Sequence, residues 1–346
     1  MSALGDLQTM HGKDNAQSGV SGSSGSLRQK LWRSAADLQN MVFPPTNWVI
    51  RGVLPEGLTL VAGRPKVGKS WMGLDWLVAI AIGGTTLGIQ CEQGDVLYAA
   101  LEDTPRRLQQ RMRMLVADDA WPERFSYLTT LPRADEGGIK IVRNWIEEQR
   151  KPRLVVIDVL AQVRPVKSGD EGNYDADYAA VSGWKALADE FNIAIVLVHH
   201  VRKRSASDPL EMLSGTNGLG GAADSTLILN RDSQGCTLYG RGRDLEEFEW
   251  AVTFNNKTCR WEKLGEVSKV RRSDERSMVL EALEEAGEPM SPKGIATATG
   301  QNEDAVRQLL RKMLTAGEVE RLKRGTYTTP GHIDHKVTTG EDEAAG

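Results

Sequence analysis

The sequence predicts an α/β fold: a larger core on a mostly parallel sheet, followed by a small domain of three helices and a hairpin. Three observations carry this. Short β-rich runs alternate with longer helical segments, as in a parallel sheet covered by helices. Two of those runs, Leu154-Val155-Val156-Ile157 and Ile193-Ala194-Ile195-Val196-Leu197-Val198, are continuously apolar, as strands buried on both faces must be. Finally, Gly63-Arg64-Pro65-Lys66-Val67-Gly68-Lys69-Ser70 fits G-x-x-x-x-G-K-[ST] and sits between an apolar run and a helical stretch beginning at Trp71.

Residues 1–30 are rich in Ser, Gly, Gln and Asp and cannot bury enough apolar surface to order themselves, so a disordered N-terminal tail is expected. The core spans 31–264. Its strands are expected at 58–62, 96–101, 154–157, 193–198 and 225–230, with a later β-ribbon at 250–254 and 260–263. Helices are expected at 71–82, 105–116, 138–148 and 175–191. A basic, irregular stretch at 265–272 reads as a linker. The unit at 273–330 then shows helices at 275–286, 292–299 and 303–316 and a Gly-punctuated hairpin through 318–328, which is a winged-helix pattern. Residues 331–346 read as a disordered acidic tail.

The chain has 346 residues, of which 40% are hydrophobic, enough for a sizeable core. A net charge of −4 gives no global footprint for nucleic acid, so such binding must rest on local patches. Cys91, Cys236 and Cys259 lie far apart without metal-ligand spacing, which excludes a disulfide framework and a zinc site. The longest apolar stretch, 77–82, is too short to span a bilayer, and no apolar signal core is seen. A cytoplasmic location without membrane contact is expected.

The phosphate loop answers a triphosphate with backbone N–H groups, which its glycines allow to close around the β-phosphate, and with the positive end of the following helix. Gly63, Arg64, Pro65, Lys66, Val67, Gly68, Lys69, Ser70 and Trp71 are the candidate nucleotide-binding residues. Lys69 adds charge between the β- and γ-phosphates, and the Ser70 hydroxyl is placed to hold Mg²⁺. The expected ligands are therefore ATP and Mg²⁺. The apolar run at 154–157 ends in Asp158, as in a Walker B strand whose carboxylate holds the Mg²⁺ shell opposite Ser70. The run at 96–101 ends in Glu102 and Asp103, where a carboxylate can polarise an attacking water. Glu102 is the candidate base, with Asp103 and Thr104 capping the next helix, whose first position holds Pro105. Capping by both acids is the competing reading.

His199 and His200 end a further strand and run into Arg202-Lys203-Arg204. A polar residue there can report nucleotide state to the loop beyond; a purely structural histidine is the alternative. Tyr239-Gly240-Arg241-Gly242-Arg243-Asp244 sets two arginines between glycines. Either is a candidate to reach a neighbouring subunit's γ-phosphate, against the plainer reading of a hairpin with solvated arginines.

Across about residues 45–264, these motifs, with Ser214-Gly215 and Gly221-Ala222-Ala223-Asp224, resemble the RecA-like ATPase core and, more narrowly, the RepA-type replicative helicases of plasmids and phages. The resemblance implies a ring-shaped homo-hexamer with active sites between subunits, Glu102 as catalytic base, and single-stranded DNA in a central channel. Loops at 163–177 and 202–218 are the pore-loop candidates. The first carries Arg164 and Lys167 but also Asp170, Glu171, Asp175 and Asp177, which weakens it. In the second, Arg202, Lys203 and Arg204 suit phosphate contact. The appended C-terminal unit resembles winged helix-turn-helix domains, which implies contact with double-stranded DNA. Arg307, Arg311 and Lys312 would lie on its recognition helix, and Arg321, Lys323 and Arg324 on its wing. Its net charge is near zero, which leaves a protein-contact role open. The expected function is thus an ATP-hydrolysing DNA helicase or translocase of the RepA type acting in DNA replication. The alternatives are a RecA-like ATPase that loads or remodels proteins on DNA, and an ATP-gated DNA-binding regulator without unwinding.

Overall fold

The computed structural model describes residues 33–117, 120–166, 173–201, 218–232, 234–322 and 325–331. The expected tails, apart from Gly331, lie outside the described residues, as do Lys167, Arg202, Lys203, Arg204, Lys323 and Arg324. The chain divides into Met1–Pro45 and Thr46–Gly346. In the first unit a short helix, Ala35–Gln39, is closed by a capping box: the Asp37 N–H donates to Ser34 Oγ at 3.0 Å and the Ser34 N–H donates to Asp37 Oδ2 at 3.0 Å.

The second unit is built on a nine-stranded sheet among the described residues. Its strands are β1 (Gly57–Gly63), β2 (Asp95–Ala100), β3 (Phe125–Leu128), β4 (Pro152–Asp158), β5 (Ala194–His200), β6 (Ser225–Asp232), β7 (Gly235–Gly242), β8 (Phe248–Asn255) and β9 (Arg260–Glu266). Their spatial order is β9-β8-β7-β6-β1-β5-β4-β2-β3. Neighbours from β6 to β3 run parallel, whereas β6 to β9 form an antiparallel meander. The α/β class and the mostly parallel sheet are therefore as expected.

Four longer helices accompany the parallel strands: α1 (Lys69–Ile82), α2 (Pro105–Val116), α3 (Gly138–Glu148) and α4 (Asn173–Phe191). Strand alternation assigns each face its own core. On one face Tyr98, Leu154, Val156, Val196 and Val198 pack with α1. On the other, Leu97, Val155, Ile157, Ile195 and Leu197 pack with Val142 and Ile146 of α3 and with Val181, Trp184 and Leu187 of α4. Helix α1 is apolar all round, and Leu74, Trp76, Leu77, Val78, Ala79 and Ile80 are fully buried. Asp75, also buried in it, accepts from the Thr86 hydroxyl at 2.7 Å and pairs with Arg260 at 3.0 Å. Burial still lifts its pKa to about 6, against the pull of Thr86 and Arg260.

Two strands go beyond the sequence-based expectation. β3 is short and only partly buried, and its run Phe-Ser-Tyr-Leu lacks a long apolar signal. β7 contains Gly240 and Gly242, poor strand residues alone, and is held by pairing on both edges. At Gly240 an added Cβ would lie 2.3 Å from the Phe248 ring, so the glycine admits a neighbouring aromatic. The expected linker at 265–272 is also corrected. Helix α5 (Val267–Ala286) runs through it, because the stretch lacks breakers after Gly265, Val267 is buried, and Lys269 pairs with Glu266 at 2.9 Å.

α6 (Pro292–Thr299) and α7 (Glu303–Thr315) follow, then a ribbon of Glu320–Arg321 with Tyr327–Thr328. Val279, Leu283, Ile295, Val306, Leu310, Met313 and Tyr327 form their own apolar cluster. Among the described residues, no helix is long and apolar enough to cross a membrane.

Trp184→Ala tests the α4 face. The ring is fully buried, and its Nε1 has no hydrogen-bond partner among the described residues. Truncation should cost about 3 kcal/mol, the low end for a buried aromatic, because it also removes an unsatisfied donor. Chemical denaturation monitored by circular dichroism reads this, and a loss below about 1 kcal/mol would contradict the packing.

Candidate functional site

The site grows out of the C-terminal edge of the parallel strands, where loops leave an open α/β sheet. From β1 the chain turns through Lys66 at φ 64° and Gly68 at φ 108° before α1 begins at Lys69. Both lie in the left-handed region, which costs a glycine little. Pro65 and Lys66 are exposed, whereas Gly63, Val67 and Lys69 are buried and Arg64, Gly68, Ser70 and Trp71 half-buried.

Lys69 Nζ donates to Gly63 O at 2.7 Å and Arg64 O at 2.9 Å and lies 3.0 Å from His200 Nδ1. An ammonium can only donate, so the third contact makes Nδ1 the acceptor and leaves the imidazole proton on Nε2. That Nε2 lies 3.5 Å from Glu102 Oε2. Burial lowers the Lys69 pKa to about 8, although the negative charges of Asp158 and Glu102 oppose the shift.

Alternation along β5 separates the two histidines. His200 follows Val196 and Val198 onto the α1 face and reaches Lys69. His199 follows Ile195 and Leu197 onto the other, where burial above all lowers its pKa to about 4. His199 is therefore neutral at pH 7 and is not brought to the Lys69–Glu102 cluster.

Asp158 shares the α1 face with Leu154 and Val156. Its Oδ2 accepts the Tyr98 hydroxyl at 2.9 Å, and its buried Oδ1 has no hydrogen-bond partner among the described residues. Burial and the Asp158 charge together push the Tyr98 pKa well up, so the phenol stays a donor. Ser70, Tyr98, Glu102, Arg107, Arg111 and Asp158 line a cavity of about 140 Å³. A buried carboxylate oxygen lacking a donor, facing a cavity shared with a serine hydroxyl, fits a hard divalent cation such as Mg²⁺. Among the described residues no group of three or more His, Cys, Asp or Glu is placed to hold a metal ion.

Beside the cavity, Thr104 caps α2 by accepting the Arg107 N–H at 3.3 Å, as expected. Asp103 does not share that role. It pairs with Arg111 at 2.5 Å and Arg107 at 3.4 Å, because both arginines rise from the first turns of α2 toward it. Arg107 also donates to Glu102 O at 3.0 Å, tying down the backbone beneath the half-exposed Glu102 carboxylate. Trp71 does not line the cavity. Its ring lies 4.6 Å beneath the Arg111 guanidinium and 6.0 Å from the Phe254 ring.

Of the two arginines, Arg243 stands at the other end of the parallel strands. Arg241 pairs in register with Thr226, and Thr226 with Leu60, the middle residue of β1, two strands away from Arg241. Arg243 reaches Asp224 at 3.4 Å, and Asp224 accepts the Leu58 N–H at 2.9 Å at the start of β1. Neither arginine is brought to its own chain's Lys69. In the C-terminal unit, Arg311 and Lys312 are exposed on α7, while Arg307 is held by Glu303 at 2.6 Å.

Sequence reasoning missed Tyr98, Arg111 and Trp261. Strand alternation could have placed Tyr98, two residues before Ala100 on the same face. Arg111 and Trp261 carry no local signal, because each depends on distant elements meeting.

The AAA domain family profile matches residues 27–206. Among curated proteins, DNA repair protein RadA of Streptococcus pneumoniae (strain ATCC BAA-255 / R6) is 26% identical over 152 residues, covering 44% of this chain and 32% of that protein. DNA repair protein RadA of Streptococcus pyogenes serotype M3 (strain SSI-1) is also 26% identical over 152 residues, covering 44% and 29%. The chain spans about a third of the length of the curated relatives it matches. Among solved structures, one described as an ATPase domain aligns with TM-score 0.47 at 14% identity, covering 60% of this chain and 85% of that one. A DnaB-like replicative helicase, solved for its interactions with primase, aligns with TM-score 0.48 at 15% identity, covering 62% and 57%. With the family match extending over more than half of the chain and containing the phosphate loop, Glu102, Asp158 and both histidines, this protein belongs to the AAA domain family.

Proposed function

We propose that the protein is an ATP-hydrolysing DNA helicase or translocase of the RepA type, acting in DNA replication as a homo-hexameric ring on single-stranded DNA. The observation that carries the hydrolase reading is the convergence of Lys69, Ser70, Glu102, Asp158 and His200 at one edge of the sheet. Ser70 and Asp158 would hold Mg²⁺, which would supply positive charge against the phosphates. Lys69 exchanges its carbonyl acceptors for oxygens of the β- and γ-phosphates. Glu102, steadied through its carbonyl by Arg107, takes the proton of the attacking water. His200, already between Lys69 and Glu102, positions both and passes their state to the loop at 202–218.

The placement of Arg241 and Arg243 away from their own Lys69 supports a site shared between subunits, with one of them stabilising transition-state charge in trans. A DNA-related role agrees with the name of the RadA relatives. In the C-terminal unit, read as a winged helix, Arg311 and Lys312 would contact DNA phosphates from the exposed side of α7. One observation favours a second reading, an ATPase that loads or remodels proteins on DNA: Arg276 and Arg307 of that unit are already paired with Glu318 and Glu303. A unit whose cations are internally balanced suits protein contact.

Three measurements test these assignments. Single-stranded DNA should raise ATP turnover by the full chain; no change on titrating oligo-dT would exclude the helicase and translocase reading. Glu102→Gln should lower kcat by about 100-fold or more while ATP still binds; turnover that persists removes Glu102 from the base role. Finally, Lys69 loses its proton near pH 8 in the free chain, whereas a bound triphosphate keeps it protonated. Binding above that pH must therefore take up a proton, so ATP affinity stays flat below it and falls by up to about tenfold per pH unit above it. A Kd constant from about pH 7 to about pH 9.5 would contradict the lowered pKa.

A further inference from the structure

Beyond the residues that face the cavity, the phosphate loop has a fixed support behind it. Trp261, on β9, is 2% exposed, and its indole Nε1–H donates to Gly68 O at 3.2 Å. The same carbonyl accepts the Met72 N–H at 3.0 Å, the first hydrogen bond of α1. The ring also lies flush against the loop. A Cβ added at Gly68 would come within 2.6 Å of Trp261 Cζ2, so Gly68 is required both for its φ of 108° and for this contact.

The ring is itself held from two sides. Phe254, its cross-strand partner on β8, lies 5.4 Å away and in turn meets Trp71 at 6.0 Å. The preceding residue, Arg260, is anchored at 3.0 Å to the buried Asp75 of α1. The donor is therefore preorganised on a rigid ribbon, not supplied by a mobile side chain.

The consequence lies in the peptide that follows. A trans peptide unit is planar, so fixing the Gly68 carbonyl on the Trp261 side points the Lys69 N–H the opposite way. That N–H belongs to the first turn of α1, whose donors lack partners within the helix and are the ones that meet an anion. We propose that Trp261 is a positioning residue for the phosphate loop: its indole N–H sets the Gly68–Lys69 peptide plane and so aims a backbone donor at the bound phosphates. The inference rests on the nucleotide-binding reading above and names a residue outside the phosphate-loop, base and metal-binding motifs.

Trp261→Phe keeps an aromatic ring over Gly68 and removes only the donor. Isothermal titration of the full chain with ADP and with ATP should show Kd raised about five- to tenfold for both, since both carry the β-phosphate and one hydrogen bond is lost. In steady-state turnover the loss should appear in KM for ATP more than in kcat, a split that a mere loosening of the ribbon does not produce. Circular dichroism at the titration temperature confirms that the variant is folded. A Kd within about twofold of wild type for both nucleotides overturns the proposal, as does a fall in kcat at unchanged KM. A wild-type chain that binds neither nucleotide overturns the nucleotide reading and this inference together.

Discussion

A helix that is apolar on every side has nowhere stable to sit except inside, and α1 is such a helix. The parallel strands cover one side of it; β8 and β9 of the same sheet, whose Trp261 and partly buried Phe254 join the same core, cover another. This enclosure fixes the phosphate loop, because the loop is simply the entry into α1. It also requires that Asp75 be answered, and Arg260 and Thr86 supply that answer from the covering elements. The fixed support behind the phosphate loop is thus a by-product of burying most of one helix.

The opposite requirement governs the cavity. Lys69, Asp158 and Tyr98 are polar groups taken out of water, and each is tolerable because a neighbour meets part of its hydrogen-bonding capacity. The capacity left over is informative. Asp158 Oδ1 has no donor among the described residues, and Lys69 is satisfied by carbonyls and by a histidine nitrogen that a phosphate can replace. Together these leave a site organised for charge that is not its own, where burial has already lowered the cost of releasing the Lys69 proton.

The meander from β6 to β9 extends the parallel sheet and carries two features to different places. Its β6–β7 hairpin sets Arg241 level with the middle of β1 and Arg243 near its start, away from Lys69. Its last strand presses Trp261 onto Gly68 and runs directly into α5. The C-terminal helices therefore continue from the strand that supports the phosphate loop.

Much of this was legible in the chain itself. Continuous apolar runs marked β4 and β5, since strands buried on both faces favour apolar residues at every position, and shorter β-rich runs marked β1, β2 and β6. Their terminal residues marked Lys69, Glu102, Asp158 and His200, since loops at that edge are where ligands gather. Alternation would also have separated His200 from His199 and found Tyr98. The weak strands β3 and β7 were not legible, because their stability comes from neighbours and not from their own residues. Nor was the helical start of α5, which depends on burying Val267. Asp103 was misplaced as a cap because Arg107 and Arg111 reach it only once α2 has formed. The sequence by itself determined the sheet and the chemical groups at its edge, since both follow from local periodicity. Only the tertiary structure decided that Trp261, 193 residues beyond Gly68, stands behind the loop, because that contact exists only when the meander closes over α1.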